Sequence, residues 1–332
     1  MNTSDSLSVG VDVSAKTCAV LKRQMGKSGV VQHFANETAG HRALIAALAG
    51  HTRVRVCVEA TGMYSMDLVM ALHGAGIPVM VVNPKSSHNF AKALLLRSKT
   101  DNIDADTLAQ YAERMPFVPW QPPAAEHFAL RAFARRLTAL TEEKAAAKNQ
   151  LHALSATAET PRALLQDAKR GIAQLEKRID QLTAHALKLI KAHETLRTAL
   201  ALITSICGIA NTSAIALLGE VLVLPSSLTH KQWVAHAGLD PRETQSGTSV
   251  HKAPHLSKAG NRYIRRALYM PALCAVQRDP YVKAFYQHLI DNGKKPLQAL
   301  CAVQRKLLHA IHGMLRDQKP FDNTRFFAMV KT

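Results

Sequence analysis

The sequence predicts an α/β N-terminal domain, a long helical insert with coiled-coil character and a mainly α-helical C-terminal domain. Three observations predict it. Strand-like alternation is interleaved with helix signals over residues 7–83, a run of prolines at 116–123 ends that pattern, and the chain beyond turns to helix-forming composition. The expected boundaries are 1–118, 119–200 and 201–332.

Leu7, Val9, Val11 and Val13 alternate with Ser8, Gly10 and Asp12, as in a strand with one apolar and one polar face. Further strands are expected at 17–23 and 30–34, then a helix near 40–49. Val54, Val56 and Val58 alternate with Arg55, Cys57 and Glu59, and 77–82 reads as a strand buried on both faces. Pro116, Pro119, Pro122 and Pro123 read as a linker. Beyond it, Ile172, Leu175, Ile179, Leu182, Ala186, Leu189, His193 and Leu196 recur at spacings of three and four, a heptad seam. Thr160-Pro161 predicts a break between two long helices. The resulting hairpin suits either packing within the chain or an oligomerisation arm. Further on, Pro271 predicts a kink or boundary, Asn292-Gly293 a helix end, and Pro296 the start of a helix reaching about Leu315.

The 332 residues are 47% hydrophobic, enough to bury a sizeable core, and carry a net charge of +18. The excess is uneven: 12 basic against 9 acidic residues in 1–115, 13 against 8 in 116–200, and 17 against 7 in 201–332. A basic C-terminal third points to a polyanionic partner. Cys18, Cys57, Cys207, Cys274 and Cys301 form no CxxC pair and read as small buried hydrophobes in a reducing cytoplasm. The opening residues lack signal-peptide character and no stretch is long and apolar enough to span a membrane, so a cytoplasmic protein is expected.

Four carboxylates stand out. Asp12 and Glu59 sit near the ends of two strands, each on the polar face, and Asp101 and Asp104 share a face at the start of a helix. Crowded carboxylates repel unless cations neutralise them. Two Mg²⁺ ions, with Mn²⁺ as an alternative, would do so, and metals roughly 3.5–4 Å apart suit in-line displacement at phosphorus. Taken singly, Asp101 could cap its helix and Asp12 could simply end a strand. Asp106 lies off the shared face.

The second constellation runs through Gly238-Leu239-Asp240-Pro241, Ser246-Gly247-Thr248-Ser249 and Ser257-Lys258-Ala259-Gly260-Asn261. A structured loop is expected first, then a helix from near Asn261. Arg262, Arg265 and Arg266 share one face of that helix and, with Lys258, suit phosphate contacts; a solvated helix face is the alternative. A serine facing the carboxylates could attack a phosphodiester, but spacing alone does not separate Ser246 from Ser249.

Together these residues resemble the insertion-sequence transposases of the IS110 family. The Asp12, Glu59, Asp101, Asp104 set, with Lys99-Thr100-Asp101 and Asp104-Ala105, is similar to that family's DEDD, RuvC-like (RNase H-like) domain. The block from Gly238 to Leu268 is similar to its C-terminal transposase domain. The resemblance implies a metal-holding tetrad at those four acids and a nucleophilic serine at Ser246. It further implies donor and target DNA as substrates, a structured bridge RNA as guide, and a homo-oligomer up to a tetramer in which one subunit's serine completes another's metal site. One departure concerns the family's Ile-Pro-Gly-Ile-Gly turn, which here reads Ile206-Cys207-Gly208-Ile209-Ala210. That loss weakens the expectation of a DNA-backbone contact at the turn.

Two rival readings make different demands. A RuvC-like junction nuclease needs the acids but not Ser246. A non-catalytic nucleic-acid-binding protein needs neither, and would bind unchanged without Mg²⁺.

Overall fold

A computed structural model describes residues 6–60, 62, 64–96, 98, 100–246 and 250–328; the side chains of 244–253 are outside the described set. The chain divides into two compact units, 1–122 and 123–332.

The first unit runs β1 (Ser6–Val13), β2 (Thr17–Gln24), β3 (Lys27–Ser28), β4 (Gln32–Ala35), α1 (Thr38–Leu48), β5 (Arg53–Glu59), α2 (Met66–Gly74), β6 (Val79–Val82), α3 (Pro84–Ala93) and α4 (Asp101–Arg114). Its sheet has the order β3-β2-β1-β5-β6, with β4 also paired to β2. β1 and β2 are antiparallel, whereas β1, β5 and β6 are parallel. An antiparallel hairpin beside parallel strands that connect through helices is the RuvC-like, RNase H-like arrangement expected from the sequence.

The alternation in β1 sorts the two faces. Leu7, Val9, Val11 and Val13 join Val56 and Val58 of β5 in a core with Leu44 and Leu48 of α1 and Leu68 and Leu72 of α2. The opposite face is covered by α4: Ala105 and Ala109 pack with Ala19 and Leu21 of β2, and Leu108 and Ala112 with Cys57, Met80 and Val82. The other end of α4 is fastened by buried Arg23, which donates to Glu113 Oε2 (2.6 Å) and to Ser28 Oγ (2.5 Å). Asp106 accepts from Ser28 (2.5 Å) and Gln110 (2.8 Å), so its role is to hold α4 to the sheet.

The strand expected at 30–34 is instead two short strands, β3 and β4. Met25 and Gly26 take φ of 52° and 76°, turning the chain sharply after β2, and the Gly29 amide donates to Lys22 O (2.9 Å). β6 is also shorter than the apolar run that predicts it.

The second unit runs α5 (Ala125–Leu154), α6 (Arg162–Ala192), α7 (Glu194–Thr204), α8 (Asn211–Val221), α9 (His230–Ala237), β7 (Pro241–Ser246), β8 (Val250–Leu256), α10 (Arg262–Arg278), α11 (Pro280–Asp291) and α12 (Pro296–Asp317). α5 and α6 form the expected hairpin, broken by the loop before Pro161 and packed on each other, with Lys144 and Lys148 both reaching Glu176 (3.8 and 3.4 Å). The base of the hairpin, including Leu130, Ala134, Leu137, Ala186 and Ile190, shares one core with α7, α8, α9, α10 and α12.

Three sequence expectations need correction here. The heptad seam does not continue to Leu196, because α6 ends at Ala192 and His193, extended, caps α7 instead. Of the kink or boundary expected at Pro271, the boundary is absent: α10 runs through it to Arg278. The structured loop expected ahead of the helix at Asn261 contains a β-hairpin, β7–β8. Among the cysteines, only Cys18 and Cys57 are buried; Cys207, Cys274 and Cys301 are half-buried. Among the described residues, no helix is long and apolar enough to cross a membrane.

Candidate active site

The acidic set begins with β1 and β5. Their parallel register pairs Gly10 with Cys57 and Val11 with Val58, so Asp12 and Glu59 follow at matching positions, one residue beyond the last paired residues. Both belong to the face covered by α4, and two buried thiols report their fields. Cys18 is pushed up to about 11 by burial and then by Asp12, and Cys57 to about 12 by burial and then by Glu59. Glu59 is further oriented by Ser87, a buried residue of α3 whose hydroxyl donates to Glu59 Oε2 at 2.6 Å. Asn83 caps α3 by accepting from the Lys85 amide (2.8 Å), which places Ser87 one turn into the helix.

α4 supplies the other two acids. Thr100 caps it by accepting from the Ile103 amide (3.3 Å), and Asp101 and Asp104 fall in the first turn. A carboxylate there is also stabilised by the helix dipole. What lets α4 lie close on the sheet is Gly10. A Cβ at that position would lie 1.9 Å from Ala105 O and 2.3 Å from Ala109 N, so only glycine lets the α4 backbone approach β1 so closely. Ala105 and Ala109 complete the small-residue contact, one turn and two turns beyond Asp101.

The four residues offer hard carboxylate oxygens, the donor type that Mg²⁺ and Mn²⁺ prefer. Among the described residues, however, no group of three acids, histidines or cysteines already converges as a metal-holding set. Ser87 escapes sequence reasoning because one serine early in a helix carries no signal of its partner. Its removal tests that role: where Glu59 holds a divalent metal, Ser87→Ala leaves folding unchanged and lowers the metal affinity about 10-fold or more, as loss of a hydrogen bond that orients a ligand does. Titration of metal binding alongside a thermal melt checks both halves.

The second constellation is built around the β7–β8 hairpin. Ser246 ends β7 and pairs with Val250, which puts its backbone at the tip of the hairpin; its side chain lies outside the described set, and Ser249 outside the described residues. The base of the hairpin is tied down by backbone contacts. Ser257 N donates to Asp240 O (2.9 Å), Lys258 N to Gly238 O (3.1 Å) and Asn261 N to His236 O (2.7 Å). Gly238 ends α9 at φ 64°, and Gly260 sits at φ 147° with its Cα so close to His236 O that a Cβ would approach it to 2.2 Å.

Asn261 then caps α10, accepting from Tyr263 N (2.9 Å) and Ile264 N (3.4 Å). Its Nδ2 donates to Glu220 Oε2 (2.6 Å), and Glu220 is 1% exposed. Arg135 of α5 donates to both oxygens of Glu220 (2.7 and 3.2 Å), with Arg131 3.7 Å away. Burial raises the Glu220 carboxyl, but hydrogen bonds from Arg135 and Asn261 and the charges of the two arginines outweigh it, and the net shift is downward. A lone acid inside the apolar run of α8 was the signal that sequence reasoning passed over.

Because the folded pKa is depressed, the stabilisation is present above the ordinary carboxyl value of 4.5 and lost as pH falls through the lower folded value. Glu220→Gln therefore destabilises the protein by about 3 kcal/mol at neutral pH. In denaturant melts across pH, the gap from wild type narrows below about 4.5.

The basic residues expected on α10 divide. Lys258 and Arg262 are exposed. Arg265 turns back to donate to Ala237 O (2.7 Å), capping α9, and Arg266 pairs with Glu142 of α5. The three arginines thus do not form one free stripe: Arg265 is committed to protein carbonyl and Arg266 to a carboxylate.

Comparison with known proteins bears on both constellations. Residues 9–157 match the DEDD transposase model of the IS110 type, and 200–287 match the model described as transposase, IS116/IS110/IS902 family. The chain is 30% identical to the pilin gene-inverting protein of Moraxella bovis over 87% of its own length and 89% of that protein. It is also 30% identical to the pilin gene-inverting protein of Moraxella lacunata, over 81% and 82% of the two chains. Among solved structures, Thermus thermophilus RuvC with a Holliday junction substrate aligns at 13% identity and a TM-score of 0.27, covering 35% of this chain and 99% of that one. With relatives of this identity matched along nearly their whole length, the chain belongs to the IS110 family of transposases and is a DNA recombinase.

Proposed function

We propose that this enzyme cuts and rejoins the donor and target DNA of an insertion sequence through a phosphoserine link formed by Ser246. Asp12, Glu59, Asp101 and Asp104 hold Mg²⁺ for the reaction, and a structured RNA from the element selects the DNA. The observation that carries the reading is the place of Asp12 and Glu59 at matching positions of neighbouring parallel strands, on the face that α4 covers through its close approach at Gly10, with Asp101 and Asp104 in the first turn of that helix. Bound Mg²⁺ would supply positive charge to the non-bridging and leaving oxygens of the phosphodiester.

The residues of the chain do the rest. The Ser246 oxygen bonds to phosphorus, the bond from phosphorus to the deoxyribose oxygen breaks, and that oxygen takes up a proton while the serine hydroxyl gives one up. The ester is conserved, so reversal with a different strand end rejoins DNA without an external energy source. The gene-inverting role in the names of the Moraxella relatives favours this over simple hydrolysis, since inverting a gene requires resealing as well as cutting. Lys258 and Arg262, exposed beside the hairpin, suit phosphate contacts that position the duplex. Assembly as a tetramer would let the hairpin of one subunit serve the carboxylates of another. The site of action is the cytoplasm.

The test uses purified protein, end-labelled element-junction DNA, Mg²⁺ and RNA transcribed from the element, resolved on a denaturing gel. Wild type gives a labelled protein–DNA adduct that Ser246→Ala lacks. Equal cleavage by both proteins without an adduct would identify a hydrolytic nuclease instead.

A further inference from the structure

The first unit packs almost all of its large aromatic side chains. Phe34 and Trp120 lie on the valine core, Tyr111 and Phe117 on the cluster of Cys57 and Leu108, and Phe90 edge-on to Tyr111 with 5.1 Å between ring centres. Among the described residues of this unit, Tyr64 is the one exposed Phe, Tyr or Trp, at 58%. It lies in the connection that leaves β5 just beyond Glu59.

One side chain ties that connection to the turn that follows Asp12. Asn36, between β4 and α1, donates from Nδ2 to Ser14 O (2.8 Å) and to Tyr64 O (2.9 Å), and its backbone amide donates to Lys16 O (2.8 Å). Ser14 and Lys16 belong to the turn from β1 to β2. With both side-chain amide hydrogens used, Asn36 Oδ1 accepts from Nε2 of His41, 2.8 Å away. His41 is buried, and burial, opposed by Asp67 and Glu37, lowers its pKa and keeps the ring neutral. The Tyr64 backbone is thus fixed to the end of β1 as well as to β5, while its ring stays open to solvent.

We propose that Tyr64 stacks on a nucleobase of the DNA strand being cut, beside the ends of β1 and β5 that carry Asp12 and Glu59. The inference rests on the proposed role of those two acids and extends it to how the strand is gripped. Carboxylates offer no attraction of their own to a strand of phosphates, whereas an uncharged ring holds a base without adding to the charge there. A ring on a loose loop would lose freedom on stacking; the Asn36 bonds meet much of that cost before DNA arrives. Every base has a flat face, so the contact tolerates any sequence, as suits an enzyme whose target is selected by other means.

The test uses the full-length protein, RNA transcribed from the element and junction DNA, with Ca²⁺ in place of Mg²⁺. The fluorescent base 2-aminopurine replaces one base at a time near the cleavage position. At one position the label should be dim with wild type and with Tyr64→Phe but brighter with Tyr64→Ala, because a stacked aromatic ring quenches it. Tyr64→Ala should also bind the DNA about 10-fold more weakly while melting as the wild type does. Equal fluorescence at every position in wild type and Tyr64→Ala, or equal DNA affinity, overturns the proposal. The readout needs no strand cleavage, so it stands apart from the adduct assay that tests Ser246.

Discussion

Asp12→Asn is expected to abolish strand cleavage, with a fall of roughly a thousandfold or more and no change in fold. The substitution is nearly isosteric and the residue lies at the end of β1, beyond the last β1–β5 pair, so the sheet core of Leu7, Val9 and Val11 is untouched. What is lost is one of the four negative charges that would attract and fix the metal. Removing one preorganised electrostatic partner of a transition state costs about 10²–10³ in rate, and removing a ligand costs at least as much. Asp101→Asn should behave alike. Wild-type cleavage rates in either variant, measured at saturating Mg²⁺, would dissolve the metal assignment for that residue.

Gly10→Ala is expected to destabilise the first unit and to displace α4. The new Cβ would sit 1.9 Å from Ala105 O and 2.3 Å from Ala109 N, both backbone atoms of α4 that cannot rotate aside. α4 must shift outward by about 1 Å to relieve the clash, and overpacking of this kind costs about 1–3 kcal/mol or more. The shift also moves Asp101 and Asp104 away from Asp12 and Glu59. A 1 Å misplacement of catalytic groups costs about 10²-fold in rate. The variant should therefore lose activity at temperatures where it is still folded, as a melt and a cleavage assay on one preparation would show. Loss of activity only in step with unfolding would mean that Gly10 serves stability alone.

The parts of this architecture that were legible in the sequence are those in which one chain segment carries its own pattern. β1, β2 and β5 lie within a residue of the spans expected for them, because each carries a run of apolar residues to bury. Helix starts with local chemistry were also readable at Asn261 before α10 and Pro296 opening α12, whereas α4 is capped by Thr100 and not by Asp101, the cap that the sequence offered. The same applied to the placement of Asp12 and Glu59 at the ends of two apolar strands.

Contacts distant in sequence were not legible. That Gly10 admits α4, that Ser87 orients Glu59 and that Glu220 holds Asn261 all depend on partners that no local spacing reveals. The β7–β8 hairpin was hidden because Gly, Pro and Ser dominate its surroundings, while its pairing comes from register across strands. The arginine face of α10 was drawn correctly as a helical wheel, yet Arg265 and Arg266 find partners on α9 and α5 that a wheel cannot show.

The measurement that tests the central claim most directly is to isolate the protein–DNA adduct, digest both components and sequence the modified peptide by mass spectrometry. The account predicts a nucleotide phosphate ester on Ser246, formed only with divalent metal and absent from Asp12→Asn. A phosphate on Ser249 would contradict the assignment of the nucleophile, and cleaved DNA with no modified residue would contradict covalent transfer altogether.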